Sequence, residues 1–403
     1  MKAVGVVVEY NPFHNGHYYH VQQSKLNTNA DVVIAVMSGH FLQRGEPSLV
    51  SKWHRTKMAL QSGVDVVIEL PYVFSTGNAT QFAEGAIFLL SAIQCESFAF
   101  GSEQGDIEPF LNTANLIEEH ADEYNFLIKE FVSSGLSYPV SLYKAYEQLK
   151  QKKNQLYIDL SKPNNILGYH YIAAAKKLNC SIKPVTFMRI GAGYHDDIQK
   201  DSSIASATGI RKALLDEGNL ESSKAYLPEA SYKELLLWQQ QFGKFVHWEA
   251  FWPLLKYAIM RYTPEDLTAF ADVSEGIEYA LLKHAKNSES FSEFMSSIKS
   301  KRYTWTRLQR MLTHIYTGVT KEQLHRFENP SYIRLLGMTQ KGQAYLSQYK
   351  KEFSLPMISR VAQTKDEMLS LDIRTSQMYS FGVELFSKNK IARDYKTPPI
   401  RME

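Results

Sequence analysis

His14 and His17, separated by Asn15 and Gly16, directly follow the apolar run 4–8 and open a stretch that reads as a helix. A helix start carries unpaired N–H groups and the positive dipole end, and so attracts an anion. Two imidazole donors at the same mouth suit a polyphosphate whose charge grows as its α-phosphorus is attacked. Helical zinc sites pair histidines at i and i+4, whereas these stand at i and i+3, and no Cys or His cluster completes a ligand set. Phosphate binding is therefore expected, and no protein-held metal. A second segment, Ser206, Ala207, Thr208, Gly209, Ile210 and Arg211, reads as a Ser/Thr-capped helix start with Arg211 one turn in. Alone it is a plain N-cap or a second phosphate site.

These residues need strands to position them. Strand-like runs lie at 3–8, 31–37, 65–70, 97–100 and 184–190, with helical stretches at 17–26, 51–62, 79–95 and 167–178 between them. The strands are apolar at consecutive positions, the pattern of parallel strands covered on both faces. Alternating strand and helix order predicts an α/β fold with a Rossmann-like parallel sheet and a ligand beyond the carboxyl ends of its strands. After Leu214 the texture becomes helical, with patterns at 232–241, 252–261, 275–285, 304–316 and 343–348. A boundary within 216–227 divides an α/β domain, 1–220, from a mainly α-helical C-terminal domain, 221–403. The segment 389–403 reads as a loose tail.

Composition is that of an ordinary globular protein, and the formal charge of +3 is too small to establish a nucleic-acid partner. Cys95 and Cys180 stand alone in apolar segments, which fits buried thiols in a reducing cytoplasm. No signal-peptide pattern and no apolar run of membrane-spanning length occurs, so a cytoplasmic protein is expected. Local clusters carry more information. Gly101 ends a strand and permits close approach of a nucleoside. Asn164 and Asn165 open a helical pattern and are placed to read adenine or ribose, or to cap. Arg189 is a candidate ATP contact or a surface ion pair. Ser38, Gly39, His40, Gln43 and Arg44 follow the second strand and are candidates for the crevice lining. Lys52, Trp53, His54 and Arg55 form a basic-aromatic run that a solvated helix face also explains. Lys299, Lys301, Arg302, Arg307 and Arg310, with Tyr303 and Trp305 between them, fit phosphate contacts and base stacking, or a charged face over buried aromatics.

Together the two phosphate segments resemble the HxGH nucleotidyltransferase superfamily, whose motifs run roughly F-D-P-x-H-x-G-H and I-S-S-T-x-I-R. Asn11 stands where that pattern has an acid, Tyr10 replaces Phe, and the second motif carries Ala205 and Ala207. The run 8–17, Met37-Ser38-Gly39, residues 43–47, residues 162–168 and Lys301-Arg302-Tyr303-Thr304 further resemble the bacterial tRNA(Met) cytidine acetate ligases over nearly the whole chain. The resemblance implies that acetate is activated with ATP to acetyl-adenylate and passed to the wobble cytidine of elongator tRNA(Met). It implies that the domain 1–220 adenylates and the domain 221–403 binds tRNA, with catalytic roles for His14 and His17. It also implies an ATP site formed by Val7, Val8, Glu9, Tyr10, Asn11, Pro12, Phe13, His14, Asn15, Gly16, His17, His20, Gly101, Asn164, Arg189, Ile190, Ser206, Thr208 and Arg211. By the same resemblance Ser38, Gly39, His40, Gln43 and Arg44 fall on the acyl or tRNA side, and Lys301, Arg302, Arg307 and Arg310 on the tRNA surface. Mg²⁺ is expected to accompany ATP without a carboxylate cage. No Walker-type loop occurs, and ionised acetate needs no base to attack phosphorus. The rival classes are a small-molecule adenylyltransferase or pantothenate-synthetase-like ligase, and an RNA-binding protein that keeps an unused nucleotide site.

Overall fold

The computed structural model describes residues 1–151, 155–190 and 204–403. Its strands are β1 (Ala3–Val8), β2 (Val32–Ser38), β3 (Val66–Leu70), β4 (Ser97–Ser102), β5 (Lys183–Met188), β6 (Ile333–Thr339), β7 (Met357–Ile358) and β8 (Ile400–Met402). They form one sheet in the order β5-β4-β1-β2-β3-β6-β7, with β8 also paired to β6. Every pairing is parallel except that of β3 with β6. All seven residues of β2 are buried, as the unbroken apolar run requires of a strand covered on both faces. From β1 the chain winds outward through β2 and β3, then returns to β1's other side with β4 and β5. That reversal opens a crevice at the carboxyl ends of β1 and β4.

The helix Asn15–Thr28 follows β1, Lys52–Gln61 follows β2, and Ala79–Ala92 leads to β4. Three helices, Glu108–Glu119, Ala121–Ser133 and Tyr138–Lys150, lie between β4 and the helix Pro163–Lys177. They close a small core of their own around Leu116, Ile117, Leu127, Ile128, Tyr146 and Leu149.

The C-terminal half contains the expected helices at Glu229–Phe242, Trp248–Met260, Ile277–Asn287, Trp305–Thr317 and Gln340–Tyr349. It also returns three strands to the first sheet, where the sequence texture signals helices alone. In β6 the residues from Ile333 to Met338 are buried, and Val66 aligns with Met338. The 20-residue helix Glu367–Phe386 then packs beside Trp305–Thr317 and the short helix Tyr72–Ser75.

Two sequence expectations are corrected here. The tail is docked: Ile391 and Asp394 are buried, and β8 pairs with β6. The run 52–55 is no solvated face, because its helix packs its first turn into the sheet, where Lys52 and Arg55 are wholly buried. Lys52 Nζ donates to both Glu69 carboxylate oxygens at 2.8 Å and to Asp394 Oδ1 at 2.7 Å. Ser376 Oγ donates to Asp394 Oδ2 at 2.6 Å and lies 3.0 Å from His40 Nδ1. Arg55 Nη1 donates to the carbonyls of Glu9 at 2.7 Å and Ser38 at 3.0 Å, and its Nη2 to that of Gly39. One buried guanidinium thus ties together the carboxyl ends of β1 and β2.

Candidate active site

The turn after β1 aims both histidines. His14 is the N-cap of the helix Asn15–Thr28, with extended backbone at φ −130° and ψ 175°. Its Nδ1 accepts the N–H of Gly16 at 3.0 Å, and His17 Nδ1 accepts the N–H of His14 at 3.3 Å. The two rings therefore replace the usual hydroxyl and carboxylate of a capping box. An Nδ1 that accepts favours the neutral tautomer with its proton on Nε2, and the Pro12 carbonyl is a further backbone partner of the His17 ring. The ring centroids are 3.8 Å apart and tilted by 32°. Burial, reinforced by Arg189 and Arg211, pushes the His14 pKa down to about 3. Burial, then His14, holds His17 well below its ordinary value. Both are neutral donors at pH 7. Tyr10 and Phe13 form the wall behind them, with centroids 5.0 and 5.7 Å from the His17 ring.

The second motif meets the first. Ser206 Oγ accepts the N–H of Gly209 at 3.0 Å and caps the helix Ala207–Lys212. Arg211 Nη1 donates to the carbonyl of Asn11 at 3.0 Å, and its Nη2 lies 3.4 Å from Thr208 Oγ1. Residues 200 positions apart in the chain thus share one hydrogen bond. Asn11 occupies the motif's acidic position, and its Oδ1 accepts the N–H of Leu49 at 2.7 Å. That bond needs only an acceptor, which explains how an amide serves there. Asn15 Nδ2 donates to the carbonyl of Ala225 at 3.0 Å.

The other wall comes from β4 and β5. A Cβ on Gly101 would stand 2.7 Å from Arg189 Cγ and 3.7 Å from His20 Cδ2, so only glycine leaves room for that arginine. Arg189 Nη1 donates to Asn164 Oδ1. Burial lowers the His20 pKa to about 4, helped by Arg189. Ile190, next to Arg189, is exposed. Glu103 reaches the first turn of Pro163–Lys177 and accepts from both Asn164 and Asn165. Its place directly after β4, in the run Gly101-Ser102-Glu103, marks it in the sequence as a strand-end candidate; the contacts with Asn164 and Asn165 are what the structure adds.

The expected acyl side lies deeper. Ser38 is fully buried, and a Cβ on Gly39 would strike the Glu69 carboxylate. Gln43 donates its N–H to Glu9 Oε1 at 2.7 Å and its side-chain amide to the Gly77 carbonyl at 3.3 Å. Arg44 lies beside Glu9 in charge terms, where its cation opposes the upward push of burial on that carboxyl. Gly45 takes φ +74° and abuts the backbone of Arg310. Glu46 joins the halves, accepting from Gln309 Nε2 at 3.3 Å and lying 3.8 Å from Arg211 Nη2.

The basic segment splits on inspection. Lys301 and Arg302 are exposed, and Arg302 pairs with Glu275 at 3.0 Å. Arg307 pairs with Asp272 at 2.9 Å and stacks on Tyr303, 4.7 Å from its ring. Tyr303 itself is buried, its hydroxyl on the Ser274 carbonyl, so it supports Arg307 and offers no open stacking face. Trp305, 42% exposed, does offer one.

Known proteins share much of this sequence and this fold. A family profile described as HIGH Nucleotidyl Transferase matches residues 1–394. A tRNA(Met) cytidine acetate ligase from Lysinibacillus sphaericus is 61% identical over 402 residues, covering all of both chains. One from Bacillus subtilis is 47% identical, covering all of this chain and 98% of the relative. The chain belongs to the tRNA(Met) cytidine acetate ligase family. Among solved members of the family, Thermotoga maritima TmcAL, crystallised with alpha-thio ATP, superposes with a TM-score of 0.90 at 32% identity over the whole of both chains. The shared fold extends to the apo crystal form of the same Thermotoga family member, also at a TM-score of 0.90.

Proposed function

We propose that this protein joins acetate to ATP as acetyl-adenylate and transfers the acetyl group to the wobble cytidine of elongator tRNA(Met). The observation that carries this reading is the convergence of two Nε2–H donors with Arg211 and Arg189 around one crevice. An acetate oxygen attacks the α-phosphorus, the bond to the bridging oxygen breaks, and pyrophosphate leaves. Acetate is ionised at neutral pH, so this step needs no base. His14 and His17 donate to the α-phosphate oxygens as charge accumulates, while Arg211 and Thr208 hold the outer phosphates. Gly101, Asn164 and Arg189 flank the nucleoside. In the second step the cytidine 4-amino group attacks the acetyl carbonyl, AMP departs and one proton is released.

Mg²⁺ would enter with the phosphates. Among the described residues no group of three or more His, Cys, Asp or Glu side chains is arranged to hold a metal, so no step is assigned through it. No helix among them is long and apolar enough to cross a membrane. A tRNA substrate assigns the reaction to the cytoplasm.

Isotopically labelled acetate, ATP and bulk tRNA should together yield labelled N4-acetylcytidine, and omission of any one should prevent it. Label recovered in a small-molecule product and none in tRNA would favour the cofactor-ligase reading.

The surface of Lys301, Arg302, Arg307 and Arg310 is assigned to tRNA phosphates. Replacing Arg302, Arg307 and Arg310 with alanine should weaken tRNA binding and lower the slope of log affinity against log salt by about 2–3. Pyrophosphate exchange should be spared. An unchanged slope would return Arg302 and Arg307 to their ion pairs with Glu275 and Asp272.

A further inference from the structure

Glu103 makes more contacts with the start of the helix Pro163–Lys177 than that helix's own N-cap residue, Lys162, which makes no side-chain cap bond. Its Oε2 accepts the backbone N–H of Asn165 at 3.0 Å, and its Oε1 accepts that of Asn164 at 3.3 Å. The same Oε1 accepts Asn164 Nδ2 at 2.6 Å. Asn165 answers: its Oδ1 accepts the N–H of Glu103 at 3.3 Å, and its Nδ2 donates to the Asp159 carbonyl at 3.1 Å. Two orphan helix donors are satisfied by a carboxylate some 61 residues earlier in the chain.

A carboxylate only accepts, so the Asn164 atom facing it must be the NH₂ group. The opposite face of that amide must then be the acceptor Oδ1. That oxygen faces Arg189, whose Nη1 donates to it and whose aliphatic stem packs against Gly101. Arg189, which only donates, selects the same orientation while it is in contact; once it turns to a ligand the carboxylate alone does so, and a flip would present a donor instead.

We infer that Glu103 is a positioning residue that fixes the Asn164 amide so that it offers an acceptor to the bound nucleoside. This rests on the nucleotide reading above. The matching ligand chemistry is a hydrogen-bond donor, supplied by the adenine 6-amino group or by a ribose hydroxyl. Arg189 holds that acceptor in the ligand-free chain and gives it up to the nucleoside. A 6-oxo purine would meet acceptor with acceptor.

The test is the dissociation constant of the full-length protein for ATP, ITP and 2′-deoxy-ATP, measured by calorimetry. Glu103→Gln leaves one acceptor oxygen where the carboxylate serves three donors, and its NH₂ group offers the Asn164 amide a competing partner, which weakens the constraint. Affinity for ATP should fall about tenfold, the worth of one re-aimed polar contact. If the 6-amino group is the donor, the preference for ATP over ITP shrinks. If a ribose hydroxyl is, the preference over 2′-deoxy-ATP shrinks. The double variant Glu103→Gln with Asn164→Asp reverses the roles: the introduced amide donates and the introduced carboxylate accepts. It should return ATP affinity to within about threefold of native. A merely structural loss of the helix cap would not be rescued this way. Native ATP affinity in Glu103→Gln, or no rescue by the double variant, would overturn the assignment and leave the nucleotide reading standing. A native protein that binds no ATP would overturn both.

Discussion

Alanine at His14 or His17 should cut acetate-dependent pyrophosphate exchange by roughly 10²–10³-fold, the cost of losing one preorganised donor at a developing oxyanion. Each ring has its Nδ1 fixed by a backbone N–H, so its Nε2–H is aimed before the substrate arrives. Both rings are held neutral chiefly by burial, so they act as donors and do not lose their proton in the ground state. The loss should appear in kcat, because charge builds on the α-phosphate only as the bond forms. Affinity for tRNA should stay near native. His14→Ala also removes an N-cap, at a cost of about 1 kcal/mol of stability, which a melting curve would show separately. Equal loss of exchange and tRNA affinity in a folded variant would contradict these roles.

The largest effect on stability is expected at Asp394. Asp394→Ala leaves Lys52 with Glu69 alone and removes the anion nearest Arg334, whose Nη2 lies 3.7 Å away. Breaking one side of a buried ion pair costs about 3–5 kcal/mol, because a desolvated charge loses its partner. Chemical denaturation at neutral pH would measure it. Burial opposes ionisation of Asp394, yet Lys52 and Ser376 outweigh it and hold the carboxyl down at about 2. A depressed acid stabilises the fold above its unfolded pKa. The contribution should therefore be lost as pH falls from about 4 toward 2. Asp394→Ala should remove that part of the acid transition. A variant with native stability would show that the tail is not fixed by this ion pair.

The frame of the candidate site was legible because it is local. A strand, a glycine-containing turn and a helix start fall within 4–17, and their meaning depends on no distant partner. Two strand ends and a helix start likewise bring Gly101, Arg189 and Asn164 together. Long-range pairing was not legible. Lys52 looks like a solvated lysine until Asp394, 342 residues away, arrives beside it. The tail looks loose because its anchors are one carboxylate and a three-residue strand, too short for periodicity to register. β6 carries Arg334 and Gly337 among its apolar residues and lies in helical surroundings, which hid its extended state. Tyr303 reads as a stacking aromatic because sequence shows its ring but not the buried hydroxyl bond to Ser274. Glu103 is marked by its place at a strand end, but its role stays hidden because two of its three donors are backbone N–H groups, which every sequence has.

The central claim is that the histidine crevice adenylates acetate. Exchange of labelled pyrophosphate into ATP, with and without acetate and in the absence of tRNA, tests it most directly. The account predicts exchange that requires acetate and disappears in His17→Ala. Exchange that ignores acetate and responds to another acid, or no exchange by a protein that still acetylates tRNA, would contradict it.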